Sequence, residues 1–352
     1  MSYYISGIQQ MGIGVPDVQA VFRFYRKAFG ADVRIFEEAA QAPLMINYTG
    51  GVVQSRTATM AINMNGGGGF EIWQFTSRST EKARFDIRIG DTGLFVTRIK
   101  CRDVKAQYAL HQEAGLDIIG ALSTTPSGES HYFLRDPNGN IFEITEGKSW
   151  FSNAPHLCGG VEGSMIGVRD IEKAKKLYSD LLGYNKVEYD VNGKFEDLAH
   201  LPGGEHELRR VLLSHSKERQ GPFSKLLGAT RIELVQVTSR PAQTIFENRM
   251  WGDWGFIHLC FDVRNMDELK TAADKAGFPF TVDSGSSFDM GEAAGRFAYV
   301  EDPDGTLIEF VETHKLPILK KFGWYLNLKK RSPVKALPNW MLRTLRFSRV
   351  KD

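Results

Sequence analysis

The chain has 352 residues, 42% hydrophobic and 24% charged, a composition that suits a folded protein of two or three domains. Three scattered cysteines exclude a disulfide framework or cysteine-based zinc motif and point to a reducing, cytoplasmic setting; MSYYISGIQQMG lacks the features of a signal peptide, and no run of 18 apolar residues would span a bilayer. The net charge of +2 hides an asymmetry, because residues 315–352 hold 11 Lys and Arg against one acid, leaving 33 basic and 41 acidic residues before them.

Residues 8–30, IQQMGIGVPDVQAVFRFYRKAFG, predict a strand, a helix capped by Asp17 and a stop at Gly30. Val18, Val21, Phe22, Tyr25 and Phe29 recur at helical spacing. Strands follow at Thr57–Met64 and Phe70–Phe75. The glycine run between them is a turn and not a phosphate loop, since no Lys-Ser/Thr follows it. Residues 94–115 repeat the opening in shorter form, with Asp103 before the helix and Gly115 after it. His131–Glu146, HYFLRDPNGNIFEITE, then reads as a hairpin about Asp136-Pro137-Asn138-Gly139.

Gly, Ser, Asn and Pro crowd residues 147–160, a boundary between halves. Residues 161–183 copy 8–30, with Asp170, Tyr178 and Gly183 matching Asp17, Tyr25 and Gly30. Strands follow at Arg209–His215 and Arg231–Val237, and residues 256–277 give a fourth opening, with Asn265 and Gly277. Phe297–Glu312, FAYVEDPDGTLIEFVE, repeats the hairpin 166 positions on, with Glu309 in the place of Glu143. Alternation along this strand sets Leu307, Glu309 and Val311 on one face and Ile308 and Phe310 on the other, so Glu309 is a carboxylate among apolar side chains and needs a cation, a hydrogen-bond network or a metal.

Four strand–helix–strand units with a late Glu, and the DPNG and DPDG hairpins leading into FE and IE, resemble the vicinal oxygen chelate superfamily, which includes glyoxalase I, extradiol dioxygenases and bleomycin-resistance proteins. The resemblance implies an α+β protein of four βαβββ modules, forming two glyoxalase-like domains with curved mixed sheets at 1–150 and 156–314, followed by a basic C-terminal extension at 315–352. It also implies two ligand positions per module, one seven residues before the helix cap and one in the last strand. These are Gln10 and Glu71, Val96 and Glu143, Gly163 and Glu233, and His258 and Glu309. If modules pair one with four and two with three, as in single-chain glyoxalase I, then Gln10, Glu71, His258 and Glu309 share one site, and the other site lacks two ligands. One amide, two carboxylates and one imidazole suit a single divalent ion such as Zn, Ni, Co or Mn. The lone-residue alternative makes each Glu a salt-bridge partner and His258 a core histidine; Glu143 and Glu233 fit that alternative. The other seven histidines, at 111, 131, 156, 200, 206, 215 and 314, match no ligand position and are read as surface or loop residues. Extradiol dioxygenases draw iron from two His and one Glu of the second half; here Gly163 replaces the first His.

The implied activity is that of a metal-dependent lyase, isomerase or epimerase acting on a small carbonyl substrate by proton abstraction, with Glu309 as base and Glu71 as its opposite-face partner. Trp73 and Phe256 lie two residues from ligands, as pocket walls or as core aromatics. The alternative function is non-catalytic small-molecule binding of the bleomycin-resistance type. The basic extension is read first as laid over the acidic body, second as an interfacial helix at 339–350 for a membrane or a partner, and last as a nucleic-acid contact.

Overall fold

A computed structural model describes residues 2–285, 288–289, 294–319 and 324–351. The first module comprises β1 (Tyr4–Gly14), α1 (Val18–Phe29), β2 (Val33–Gln41), β3 (Ser55–Ile62) and β4 (Gly69–Phe75). The second comprises β5 (Gly93–Cys101), α2 (Val104–Glu113), β6 (Asp117–Thr124), β7 (Ser130–Arg135) and β8 (Ile141–Glu146). The third has β9 (Cys158–Gly167), α3 (Ile171–Lys175) continued by a π-helical turn, β10 (Lys186–Gly193), β11 (Leu208–Ser214), α4 (Ser224–Leu227) and β12 (Arg231–Val237). The fourth has β13 (Gly255–Arg264), α5 (Met266–Ala276), β14 (Val282–Asp283), β15 (Phe288–Asp289), β16 (Ala294–Glu301) and β17 (Leu307–Leu319).

The caps act locally as the sequence implies. Asp17, Asp103 and Asp170 each accept a hydrogen bond from a first-turn backbone N–H. Asn265 differs. It sits in the left-handed region at φ 62° without capping its helix, and its amide donates to the Ser2 carbonyl.

Strands pair across the two halves of the chain. One sheet runs β14-β16-β17-β13-β1-β4-β3-β2, with β15 on β16 and β18 (Trp324–Asn327) on β17, and so joins modules one and four. The other runs β10-β11-β12-β9-β5-β8-β7-β6 and joins modules two and three. Within each half, the modules are tied by a helix tyrosine. The Tyr25 hydroxyl donates to Asp136 of the first hairpin turn at 2.8 Å, and Tyr178 donates to Asp302 of the second at 2.9 Å. The same two aspartates accept turn backbone N–H groups, which explains the repeated DPxG spelling.

One apolar core takes Phe70, Phe142, Phe256 and Phe310 from both sheets, with Tyr25, Val104, Tyr178 and Leu269 from the helices. Ile308 and Phe310 face it, and Glu309 points the other way. The opposite face of each sheet forms its own bowl. The basic extension packs on the body: β18 pairs β17, and Leu316, Leu328, Leu337 and Leu342 are buried against Met60, Ile62 and Leu226. Its helix, α6 (Asn339–Arg343), passes into a 3-10 turn at Thr344–Ser348, with Trp340 and Phe347 on the outside. Among the described residues no helix is long and apolar enough to cross a membrane.

Candidate metal centre

Four strands at the middle of the ten-stranded sheet, β17-β13-β1-β4, bring together one polar cluster in its bowl: Glu309, His258, Gln10 and Glu71. His258 Nε2 lies 3.2 Å from Glu309 Oε2 and 3.4 Å from Glu71 Oε2. The Gln10 amide nitrogen donates to Glu71 Oε2 at 2.7 Å and reaches Glu309 Oε2 at 3.5 Å. All four are buried. Gly12, the register partner of His258, leaves the space the imidazole fills; a Cβ there would sit 2.3 Å from the ring.

Electrostatics here are those of two acids forced together out of water. Burial pushes the Glu71 carboxyl up, and the neighbouring Glu309 charge adds to it, against the pull of His258. Burial pulls His258 down, but Glu309 and Glu71 outweigh it and the imidazole is pushed up to about 9. Tyr299 pairs with Glu309 in register and brings its hydroxyl to 3.4 Å from His258 Nδ1. Glu71, His258 and Glu309 form the cluster of metal-capable atoms among the described residues. At its heart Gln10 Oε1 is buried with no hydrogen-bond partner, and His258 Nε2 has only its ion contacts to the two carboxylates. A half-turn of the Gln10 amide exchanges its donor for its acceptor. Three oxygen donors and one imidazole nitrogen, with the surplus charge negative, fit a divalent ion.

The pocket expectation divides. Trp73 faces the bowl, packed with Trp251, Ile257 and Tyr299. Phe256 does not. Register shifts between Gly12–His258 and Ile13–Phe256, leaving Ile257 as an extra residue on β13. That bulge turns Phe256 into the shared core, 5.4 Å from Phe142, and puts Ile257 in the bowl. Strict alternation from His258 therefore fails at this point. Tyr299, Cys260 and Trp251 were missed by sequence reasoning. Counting outward from the DPDG turn would have placed Tyr299 opposite Glu309, and alternation from His258 would have reached Cys260. Trp251 stacks over His258 at 6.5 Å from a loop, with no periodic signal to mark it.

The second bowl holds a different solution. Arg98, two residues after Val96, places its guanidinium between the two carboxylates, 3.1 Å from Glu143 and 2.8 Å from Glu233. Arg210 adds a 2.6 Å bond to Glu233, and His131 lies 2.8 Å from Glu143. Coulombic attraction to Arg98 overcomes the upward push of burial and holds Glu143 down at about 2. His131, expected in a loop or on the surface, is thus a buried network member. His111 and His314 are also buried, His111 against the Ala28 carbonyl and Tyr132, His314 beside Glu312.

This fold places the protein among those built from paired βαβββ modules. The chain belongs to the Glyoxalase/Bleomycin resistance protein/Dioxygenase superfamily, whose family model matches residues 7–144 and 157–310. Among solved structures it is similar to glyoxalase I from Zea mays, at 15% identity and TM-score 0.53 over 88% of this chain and 92% of that one. It is likewise similar to a putative dioxygenase from Bacillus subtilis, at 15% identity and TM-score 0.55 over 88% and 86%. At that identity these likenesses show the shared fold. A comparison with curated proteins returned no match.

Proposed function

We propose that the centre on the ten-stranded sheet holds one divalent metal ion and that the protein is a metal-dependent lyase, isomerase or epimerase acting on a small carbonyl substrate. The observation that carries this is a contrast between the bowls. Where Glu143 and Glu233 face each other, the fixed cation of Arg98 lies between them; where Glu309 and Glu71 do, no Arg or Lys among the described residues is seated, and a ligand-type imidazole and amide complete the ring. Two buried carboxylates share a single imidazole here, so negative charge is left in surplus out of water, and a divalent ion offsets that cost.

Gln10, Glu71, His258 and Glu309 would hold the ion. When bound, it supplies positive charge beside the carbonyl oxygen on which negative charge develops. His258 would ligate through Nε2, leaving its Nδ1–H to donate to the Tyr299 hydroxyl and so fixing the tautomer. Glu309 Oε2 takes the proton from the carbon beside the carbonyl, and Glu71 faces it across the centre. Trp73, Trp251 and Met45 keep water from the transferred proton. Apolar closure over the same centre is also what a non-catalytic binder of the bleomycin-resistance type would use, so the test must separate the two.

Solvent-deuterium exchange on 2-oxo aldehyde hemithioacetals and racemisable 2-substituted acyl thioesters does so. Glu309→Gln should keep most of the metal and lose about 10²–10⁴-fold in exchange rate. Wild-type exchange in that variant would remove Glu309 as base, and a metal-loaded wild type that exchanges nothing would favour the binder.

A further inference from the structure

The side of the centre away from the C-terminal extension is walled by two indoles. Trp73 shares a strand face with Glu71; Trp251 stacks over the His258 ring at 6.5 Å and 16°; the two indoles meet at 4.8 Å. Met45, Phe75, Ile257 and Tyr299 complete this wall with apolar surface. Both indole N–H groups are buried and have no hydrogen-bond partner, and the Arg56 guanidinium lies 4.6 Å over the Trp73 ring. Buried donors of this kind are seldom left without an acceptor. Two of them on one wall point to acceptors that a ligand brings.

The cover over this wall carries the second observation. Residues 39–55 contain no charged side chain. Met45 from this segment packs inward, while Leu44, Ile46, Val52 and Val53 are exposed. The Arg56 cation is already engaged, 2.5 Å from Glu38. Arg249, beside the cover, turns its guanidinium to the Ile245 and Trp254 carbonyls. Arg78, over the Phe75 ring, is paired with Asp253, so among the described residues a substrate carried on a peptide with several carboxylates or on a nucleotide phosphate would find no unengaged cation at this wall.

We infer that the substrate of this centre bears a flat aromatic group seated against Trp73 and Trp251, with oxygen acceptors facing their indole N–H groups, and that it is not borne on a polyanionic carrier. This rests on the metal-centre reading for the location of the reacting carbonyl but not for the ring subsite.

The test compares two neutral probes with the same adjacent oxygens, 2-hydroxyacetophenone and hydroxyacetone, by calorimetry on the full chain, both metal-loaded and metal-free. Glutathione serves as the polyanionic probe. The ring-bearing probe should bind at least about tenfold tighter than hydroxyacetone in either form, as burial of a phenyl group requires. Trp73→Phe and Trp251→Phe keep a ring and lose the donor, so each should weaken 2-hydroxyacetophenone by about three- to tenfold and leave metal content unchanged. Ring preference in a chain that takes up no divalent ion when one is offered would sustain the subsite and sink the metal-centre reading. Equal affinity for the two ketones, no effect of either Phe variant, tighter binding of glutathione, or binding of neither ketone would each overturn the inference.

Discussion

Gly12 fixes the place of the imidazole as much as His258 supplies it. Because a Cβ at this position would stand 2.3 Å from the ring, Gly12→Ala should push His258 out of line with Glu71 and Glu309. The expected result is a folded protein by circular dichroism with metal content sharply reduced; a variant that keeps its full metal would show that the ring can give way. Further along the same face of β13, Asp262 is wholly buried with neither carboxylate oxygen hydrogen-bonded. Burial pushes its pKa up to about 7 from an ordinary 3.8. The folded state thus prefers the protonated acid. That contribution to stability is complete below about pH 4 and is lost as pH rises through 7. Asp262→Asn should change stability little at pH 4 and raise it by about 2–4 kcal/mol at pH 8 relative to wild type, read by urea unfolding at both values. The same difference at both pH values would mean the acid stays charged in the fold.

Elements were legible wherever a repeated chemical need wrote itself twice. The Asp caps, the helix tyrosines and the DPxG turns recur because each hairpin turn must satisfy its own backbone N–H groups and hold a tyrosine hydroxyl from the neighbouring module. Tyr25→Phe leaves Asp136 Oδ2 with only the Asn140 amide and should cost about 1–3 kcal/mol, measured by urea unfolding; no loss would mean the tie between modules is idle. Alternation located Glu309, Glu71 and Trp73 on their faces. It failed at Phe256, because a bulge is a property of two paired strands and β13 alone does not reveal that Ile257 is the extra residue. Arg98 escaped notice for a related reason. It stands two residues beyond the expected ligand position Val96, and only the pairing of β5 with β8, which sets it opposite Glu143, and with β9, which brings β12 alongside, shows that it reaches both Glu143 and Glu233. The burial of His131, His111 and His314 was equally invisible, since each depends on partners far away or across a hairpin.

Over the whole molecule, one architecture encloses two pairs of facing carboxylates and neutralises them differently. In the eight-stranded sheet the cation is part of the chain, so Glu143→Gln should leave metal content unchanged while removing one partner of a buried ion pair, at a cost of about 3–5 kcal/mol in urea unfolding. In the ten-stranded sheet, among the described residues, no Arg or Lys lies between Glu309 and Glu71, and the proposed ion would take that place beside His258. The C-terminal extension closes the far end of that bowl, with Leu316, Leu328 and Leu337 against Met60, the register partner of Glu71. Metal stoichiometry, by elemental analysis of protein purified without added metal and run beside His258→Ala and Glu143→Gln, tests the difference between the bowls most directly. The expected result is about one divalent ion per wild-type chain, held equally by Glu143→Gln and lost by His258→Ala. A wild type that holds no ion, or a loss of ion in Glu143→Gln with retention in His258→Ala, would contradict the assignment.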